Sequence, residues 1–309
     1  MQYSTFAAID IGSYDVILEI FEISKKQGIR SVDKICHRME LGKDTYTLGK
    51  IRPEMEEELC RVLADFVRIM EGYRVDDYRA TASSAISEAS NSLYVLGKIH
   101  QLTGFSVTVL SNSEQRFLSY KALAAMEDNF NKIIEKGTAI LDLDGGSFQI
   151  SLFDKDALVT TQNIRMGSLR IRERLAGIQS ETEHYEEMVE ELIWNEVSSF
   201  KKMYLKDRKI ENIMLIGDVF TDSVYQNIEE KTTKIISREN FNTWYEKIIR
   251  QSPMELAVKL GIPLENASLM YPSAVIYKCL IDMMGAEHIW IPGVHMTRGI
   301  ACEYAEQMK

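Results

Sequence analysis

The chain reads as an α/β protein of two related lobes, with mixed sheets flanked by helices, on three observations. Strand-like alternation and helix-period segments follow one another along its whole length. One strand-turn-strand pattern occurs twice, as AAIDIGSYDVILEIFEI (7–23) and AILDLDGGSFQISLFDK (139–155). The length of 309 residues is long for one core and short for three.

Each copy sets three or four apolar residues around an aspartate, turns on glycine and serine, and resumes alternating apolar residues up to a phenylalanine. That is the pattern of a β-hairpin. Asp10 and Asp142 hold the same place in the two copies. The hairpins are antiparallel, so sheets that contain them must be mixed. RPEMEEELCRVLADFVRIMEGY (52–73) puts Met55, Leu59, Leu63, Phe66, Val67 and Met70 on one helical face, with Pro53 in its first turn and Gly72 as its stop. Helical periods recur over 113–130, 186–205, 273–285 and 298–308, and short β-like segments over 105–110, 211–217 and 288–294. The boundary falls in the helix and polar turn around 124–138. The expected lobes are 1–125 and 126–297, with the terminal helix 298–309 returning to the first.

Hydrophobic residues make up 45% and charged residues 27%, with five prolines, as in a folded protein with real cores. No apolar run approaches the roughly 18 residues a spanning helix needs, and MQYSTFAAIDIG lacks the order of a signal peptide. The expectation is a cytoplasmic protein. Cys36, Cys60, Cys279 and Cys302 form no CxxC pair, so neither a zinc knuckle nor a redox motif is supported and buried thiols are expected. A formal charge of −10 argues against a general nucleic-acid or anionic-membrane surface. The five histidines show no metal-ligand spacing.

Two Asp and Gly-Ser hairpins, one per lobe, suit a phosphate chain with its metal if they face one another across a cleft. Glycines let backbone N–H groups approach phosphate oxygens, a serine hydroxyl adds a donor, and an aspartate can hold Mg²⁺ directly or through water. The plain alternative is a structural turn, and a repeated pair weighs against it.

AIDIGSYDVIL, MELGKDTYTLGKIRPEM (39–55), ATASSAISEASN (80–91), LSNSEQRFLSY (110–120), LDLDGGSFQI (141–150), RMGSLRIRERL (165–175) and IWIPGVHMTRGI (289–300) follow one order. Together they resemble the exopolyphosphatase and guanosine pentaphosphate phosphatase family, a branch of the actin-like superfamily, over nearly the whole chain. The resemblance implies two actin-like (ribonuclease H-like) lobes with a cleft between them, and hydrolysis of a terminal phosphoanhydride with Mg²⁺ or Mn²⁺. It implies inorganic polyphosphate or a guanosine polyphosphate as partner, and leaves a homodimer open. Gly12, Ser13, Gly145, Gly146 and Ser147 match its phosphate-binding positions, and Asp10 and Asp142 its metal-side carboxylates.

The acidic positions depart from the pattern. The family's Glu-Glu-Ala becomes Glu114-Gln115-Arg116, and the last glutamate of its second loop becomes Gln149. Glutamine takes no proton near neutral pH, although it can orient water. Glu114 would serve as base only with a one-residue shift on its helix. Asp144 replaces a loop glycine and is read as a metal ligand, a solvated turn residue or a group that repels polyanions. Tyr14 and Asp15 stand where the family has Asn-Ser, and Ser87 where it has an arginine. In LIGDVFTDSVYQ (215–226) side chains at Val219 and Phe220 replace the glycines that would let a purine approach. Arg170 is read as phosphate-facing or as part of a salt-bridged surface. Two readings stand: a phosphoanhydride hydrolase weakened at Gln115 and Gln149, and a phosphate-chain or nucleotide binding or regulatory protein without turnover. A sugar kinase of the same superfamily is the third.

Overall fold

The computed structural model describes residues 3–126, 130–176, 185–206, 208–217, 219–227 and 235–308. It forms two compact units, Met1–Ala125 with Val294–Lys309, and Met126–Gly293.

The first unit is built on β1 (Ser4–Ile11), β2 (Asp15–Ser24), β3 (Gly28–Arg38), β4 (Asp77–Ala82) and β5 (Val107–Val109), in the order β3-β2-β1-β4-β5. The first three strands form an antiparallel meander, and β4 and β5 continue it in parallel through helical crossovers. Alternation along β1 splits its side chains between two faces. Ala7, Ile9 and Ile11 join Leu59, Leu63 and Phe66 of the helix Pro53–Tyr73 and Val95 and Ile99 of the helix Ser92–Thr103. Phe6 and Ala8 join Phe21 and Ile23 of β2, and Ile300 and Ala301 of the helix Met296–Gln307. Phe6 and Tyr304 stack with ring centroids 4.0 Å apart. Asp10 lies on the same face as Phe6 and Ala8, at the strand's C-terminal end.

The second unit repeats the plan with β6 (Thr138–Leu143), β7 (Phe148–Asp154), β8 (Ala157–Ile164), β9 (Asn212–Ile216), β10 (Ile235–Ser237) and β11 (His288–Trp290), in the order β8-β7-β6-β9-β11-β10. Again a meander of three strands is continued by two parallel ones, and β10 is added antiparallel at the edge. Leu141, Leu143, Phe148 and Ile150 face a core closed by Ile193, Val197, Ala274 and Tyr277. The fold is therefore the expected one: α/β, with two related units whose mixed sheets are flanked by helices.

Several boundaries differ from the sequence reading. The helix expected over 52–73 runs through Gly72 and stops at Arg74, which takes a left-handed φ of 54°. The segments 105–110 and 288–294 shorten to three-residue strands. The helix expected over 273–285 starts at Leu264 and continues through Pro272. Phe220 does not line a ligand approach, because it is fully buried against Phe241 and Tyr277. His184 lies outside the described residues. Among the described residues no helix is long and apolar enough to cross a membrane.

Gly299 fixes how the terminal helix meets the first unit, since a Cβ there would stand 2.2 Å from the Leu118 carbonyl oxygen. Backbone on both sides cannot yield as a flexible side chain would. Gly299→Ala is expected to destabilise the protein by about 1–3 kcal/mol, read as a lowered denaturant midpoint with unchanged slope.

Candidate phosphate-binding hairpins

The two hairpins close identically. Ile11 pairs with Val16 and Leu143 with Phe148, leaving four-residue loops at 12–15 and 144–147. Gly12 N–H donates to Asp15 O at 2.8 Å, and Asp144 N–H to Ser147 O at 2.9 Å. This register aligns Ser13 with Gly145 and Asp15 with Ser147. The two Gly-Ser pairs seen in the sequence are therefore offset within the repeat, while Asp10 and Asp142 are truly equivalent.

The second loop has all four carbonyls occupied. Asp144 O accepts from Ser168 N–H at 3.2 Å, Gly145 O from Arg170 N–H at 2.9 Å, and Gly146 O from Arg170 Nε at 2.8 Å. Ser147 O closes the turn. A trans peptide points its N–H away from its C=O. Holding Gly145 O and Gly146 O therefore turns the N–H groups of Gly146 and Ser147 outward, and among the described residues neither meets a protein acceptor. Two successive outward amides make an anion-binding concavity. Gly167 makes the brace possible, because a Cβ there would stand 2.2 Å from Asp144 O and 2.4 Å from Ser147 N.

Asp142 precedes this loop and shares its sheet face with Gln149, its register partner on β7. Gln149 is 5% exposed. Gly217, with φ 106°, follows β9 so closely that a Cβ would stand 2.6 Å from Asp142 Oδ1. Asp144 turns Oδ1 onto the Gly145 N–H at 2.6 Å, so that oxygen serves the turn. Asn163 Nδ2 donates to Ser147 Oγ at 3.3 Å.

The first loop is braced by its own later segment. Ser13 O accepts from Gly42 N–H at 2.8 Å and Tyr14 O from Met39 N–H at 3.0 Å. Its side chains differ from those of the second loop. Ser13 is fully buried, with Oγ 2.6 Å from Tyr46 OH and 3.3 Å from Ser84 Oγ. Its hydroxyl thus belongs to a structural cluster. Asp10 Oδ1 accepts from Thr81 Oγ1 at 3.2 Å. Asp15 Oδ2 accepts from Arg38 Nη1 at 2.8 Å. Burial pushes the Asp15 carboxyl up, with Arg38 the largest opposing influence.

The helix Asn112–Met126 begins beside the end of β5. Glu114 Oε2 accepts from both the N–H and the Oγ of Ser111 at 2.7 Å, a capping-box contact. These bonds hold the carboxyl below the usual glutamate range. Gln115 Nε2 donates to Leu110 O at 3.3 Å, back toward the C-terminal end of the sheet. The first unit thus groups Asp10, the loop 12–15 and this helix start at one end of its sheet, and the second groups Asp142, Gln149, Gly217 and the loop 144–147. Ligand crevices in parallel α/β sheets form at this end. Among the described residues no three His, Cys, Asp or Glu side chains gather as a metal cage. Asp10 and Asp142 remain the oxygen donors suited to Mg²⁺, which typically takes one or two carboxylates and completes its shell with water and phosphate.

The family model for the Ppx/GppA phosphatases matches residues 19–307. The chain belongs to the Ppx/GppA phosphatase family. The match begins after the loop 12–15, so the Ppx/GppA assignment rests on the rest of the chain. A solved Ppx/GppA member from Aquifex aeolicus is 18% identical, covers 100% of this chain and 99% of its own, and superposes with a TM-score of 0.79. An exopolyphosphatase structure from Cytophaga hutchinsonii, 17% identical over 99% of both chains, gives 0.88. These likenesses show the Ppx/GppA fold. Among curated proteins, a bifunctional 3-dehydroquinate synthase/phosphatase of Fusobacterium nucleatum is 21% identical over 92% of this chain and 44% of that protein. Exopolyphosphatase 1 of Mycobacterium leprae is 25% identical over 46% of this chain and 41% of that protein. The match thus spans less than half the length of either.

The brace of the second loop, with Arg170 at its centre, was visible in the sequence only as RMGSLR. Arg170→Ala removes the Nε bond to Gly146 O and leaves the backbone bond to Gly145 O, so it is expected to lower the backbone NMR order parameter at Ser147 while Gly146 and the strand core change little. Glu114 should titrate below the ordinary glutamate value by NMR and return toward it in Ser111→Ala. A lowered folded value stabilises above the unfolded value and is lost as pH falls through the folded one. The helix start should therefore loosen only in acid below the usual carboxylate range.

Proposed function

We propose that this protein is a phosphoanhydride hydrolase that removes the terminal phosphate from inorganic polyphosphate or guanosine pentaphosphate with a divalent ion, Mg²⁺ or Mn²⁺. The observation that carries the reading is the pair of outward amides at Gly146 and Ser147, next to Asp142 at the end of the sheet. Membership of the Ppx/GppA family supports it.

In this reading Gly146 and Ser147 bind phosphate oxygens through backbone N–H; their register counterparts in the first unit are Tyr14 and Asp15, since the Gly12 N–H is spent on closing its own turn. Asp10 and Asp142 are each the carboxylate of its own unit suited to a metal, which would supply charge neutralisation on the phosphates when bound. Phosphoryl transfer depends mainly on positioning and charge stabilisation, so these groups perform most of the task. The attacking water falls to Gln115 or Gln149. Either side chain can orient water, and neither removes its proton at neutral pH. Glu114 is a weak base because the Ser111 bonds stabilise its charged form. Turnover is accordingly slow for this architecture. The same two observations, glutamines at the acidic positions and a capped Glu114, favour a second reading: a phosphate-chain or nucleotide binding or regulatory protein that lacks turnover.

Phosphate release from long-chain polyphosphate and from guanosine pentaphosphate, with Mg²⁺ or Mn²⁺, separates the readings. Release that disappears in Asp142→Ala supports the hydrolase. No release, with polyphosphate still bound in a direct titration, supports the binding protein. Restoring both carboxylates, Gln115→Glu with Gln149→Glu, is expected to raise turnover by about tenfold to a hundredfold if a missing base is the limit. Turnover at background with ligand bound would rule out that account of slow chemistry.

A further inference from the structure

The register extends the internal repeat beyond the hairpins. Asp15 pairs with Arg38 at the end of β3, and Phe148 with Ile164 at the end of β8, which sets Ser147 opposite Arg165 one step further. Both arginines precede a buried methionine, Met39 or Met166. Each unit therefore carries an arginine beside the last residue of its loop. In the second unit that residue is a serine. In the first it is a carboxylate, with Arg38 Nη1 2.8 Å from Asp15 Oδ2 and the guanidinium 5.6 Å from the centre of the Tyr14 ring.

We propose that Asp15 is a built-in anion that occupies Arg38 in place of a phosphate group, and so sets how weakly the first hairpin holds a phosphate chain. The inference rests on the phosphate-chain reading above. Guanidinium groups bind carboxylate and phosphate with the same planar fork. A carboxylate fixed within the loop competes at every ligand concentration, and its charge also opposes the approach of a polyanion. The Arg38 side chain remains 37% exposed, so an incoming oxygen can reach it once Asp15 gives way. The pair thus grades affinity by charge and leaves the backbone brace of the loop untouched.

Calorimetric titration of the full chain with long-chain polyphosphate, at two salt concentrations, tests this. Asp15→Asn keeps the shape and removes the charge, and Asp15→Ser reproduces the second repeat. Either is expected to tighten binding by about tenfold and to steepen the salt dependence by about one released counterion. Adding Arg38→Gln to Asp15→Asn should cancel both gains. A structural role for the pair would lower thermal stability without changing the salt slope. Unchanged or weaker binding by both folded Asp15 variants would overturn the proposal while the phosphate-chain reading stood, as would a gain that survives Arg38→Gln. Binding by the variants alone would support it in its strongest form. Absence of binding by wild type and every variant would overturn both readings.

Discussion

Everything the second hairpin can do depends on where its carbonyls are held. Four loop residues present four carbonyl oxygens, and the turn itself, Ser168 and Arg170 engage all of them. Since each peptide is planar, fixing the oxygens fixes the directions of the amides. The direction of the two amides is thus set before any ligand arrives, with little reorganisation left to cost affinity. Gly167 is part of the same constraint, because any side chain there would displace the loop from the residues that hold it.

The first hairpin shows how one backbone device carries different side chains. Met39 and Gly42 brace it much as Ser168 and Arg170 brace its counterpart. The turn and its support recur in both units, while the first alone has a buried hydroxyl cluster around Ser13 and an ion pair at Asp15.

Much of this architecture was legible in the sequence, and the gaps have physical causes. The paired hairpins stood out because β1, β2, β6 and β7 are apolar runs interrupted by the same aspartate. The third strands did not: GIRSVDKICHR and ALVTTQNI lie at sheet edges, largely exposed or half-buried, and carry no apolar run. Pro272 concealed the first half of a long helix whose interior placement outweighs the missing N–H. At the site, Asp10, Asp142 and the glycines could be placed by pattern. Ser13 could not, because Tyr46 and Ser84, which engage its hydroxyl, are distant in sequence. Nor did a Gly-Ser dipeptide reveal its offset within the turn, which only strand register shows. Glu114 read as a candidate base, and Ser111 three residues earlier was a capping signal available in the same string.

The return of the helix Met296–Gln307 to the first unit also orders events during synthesis. Residues 126–293 are contiguous, so the second unit is complete as soon as they leave the ribosome. The first unit begins earlier and closes later, because the cluster of Phe6, Ala8 and Phe21 with Leu110 and Leu118 is completed only when Ile300 and Ala301 have been made. An open apolar sheet face in a nascent chain is a site for chaperone contact or misassembly. The sheet face of the first unit thus lacks part of its cover while the intervening residues are translated, and the helix Met296–Gln307 acts as the clasp.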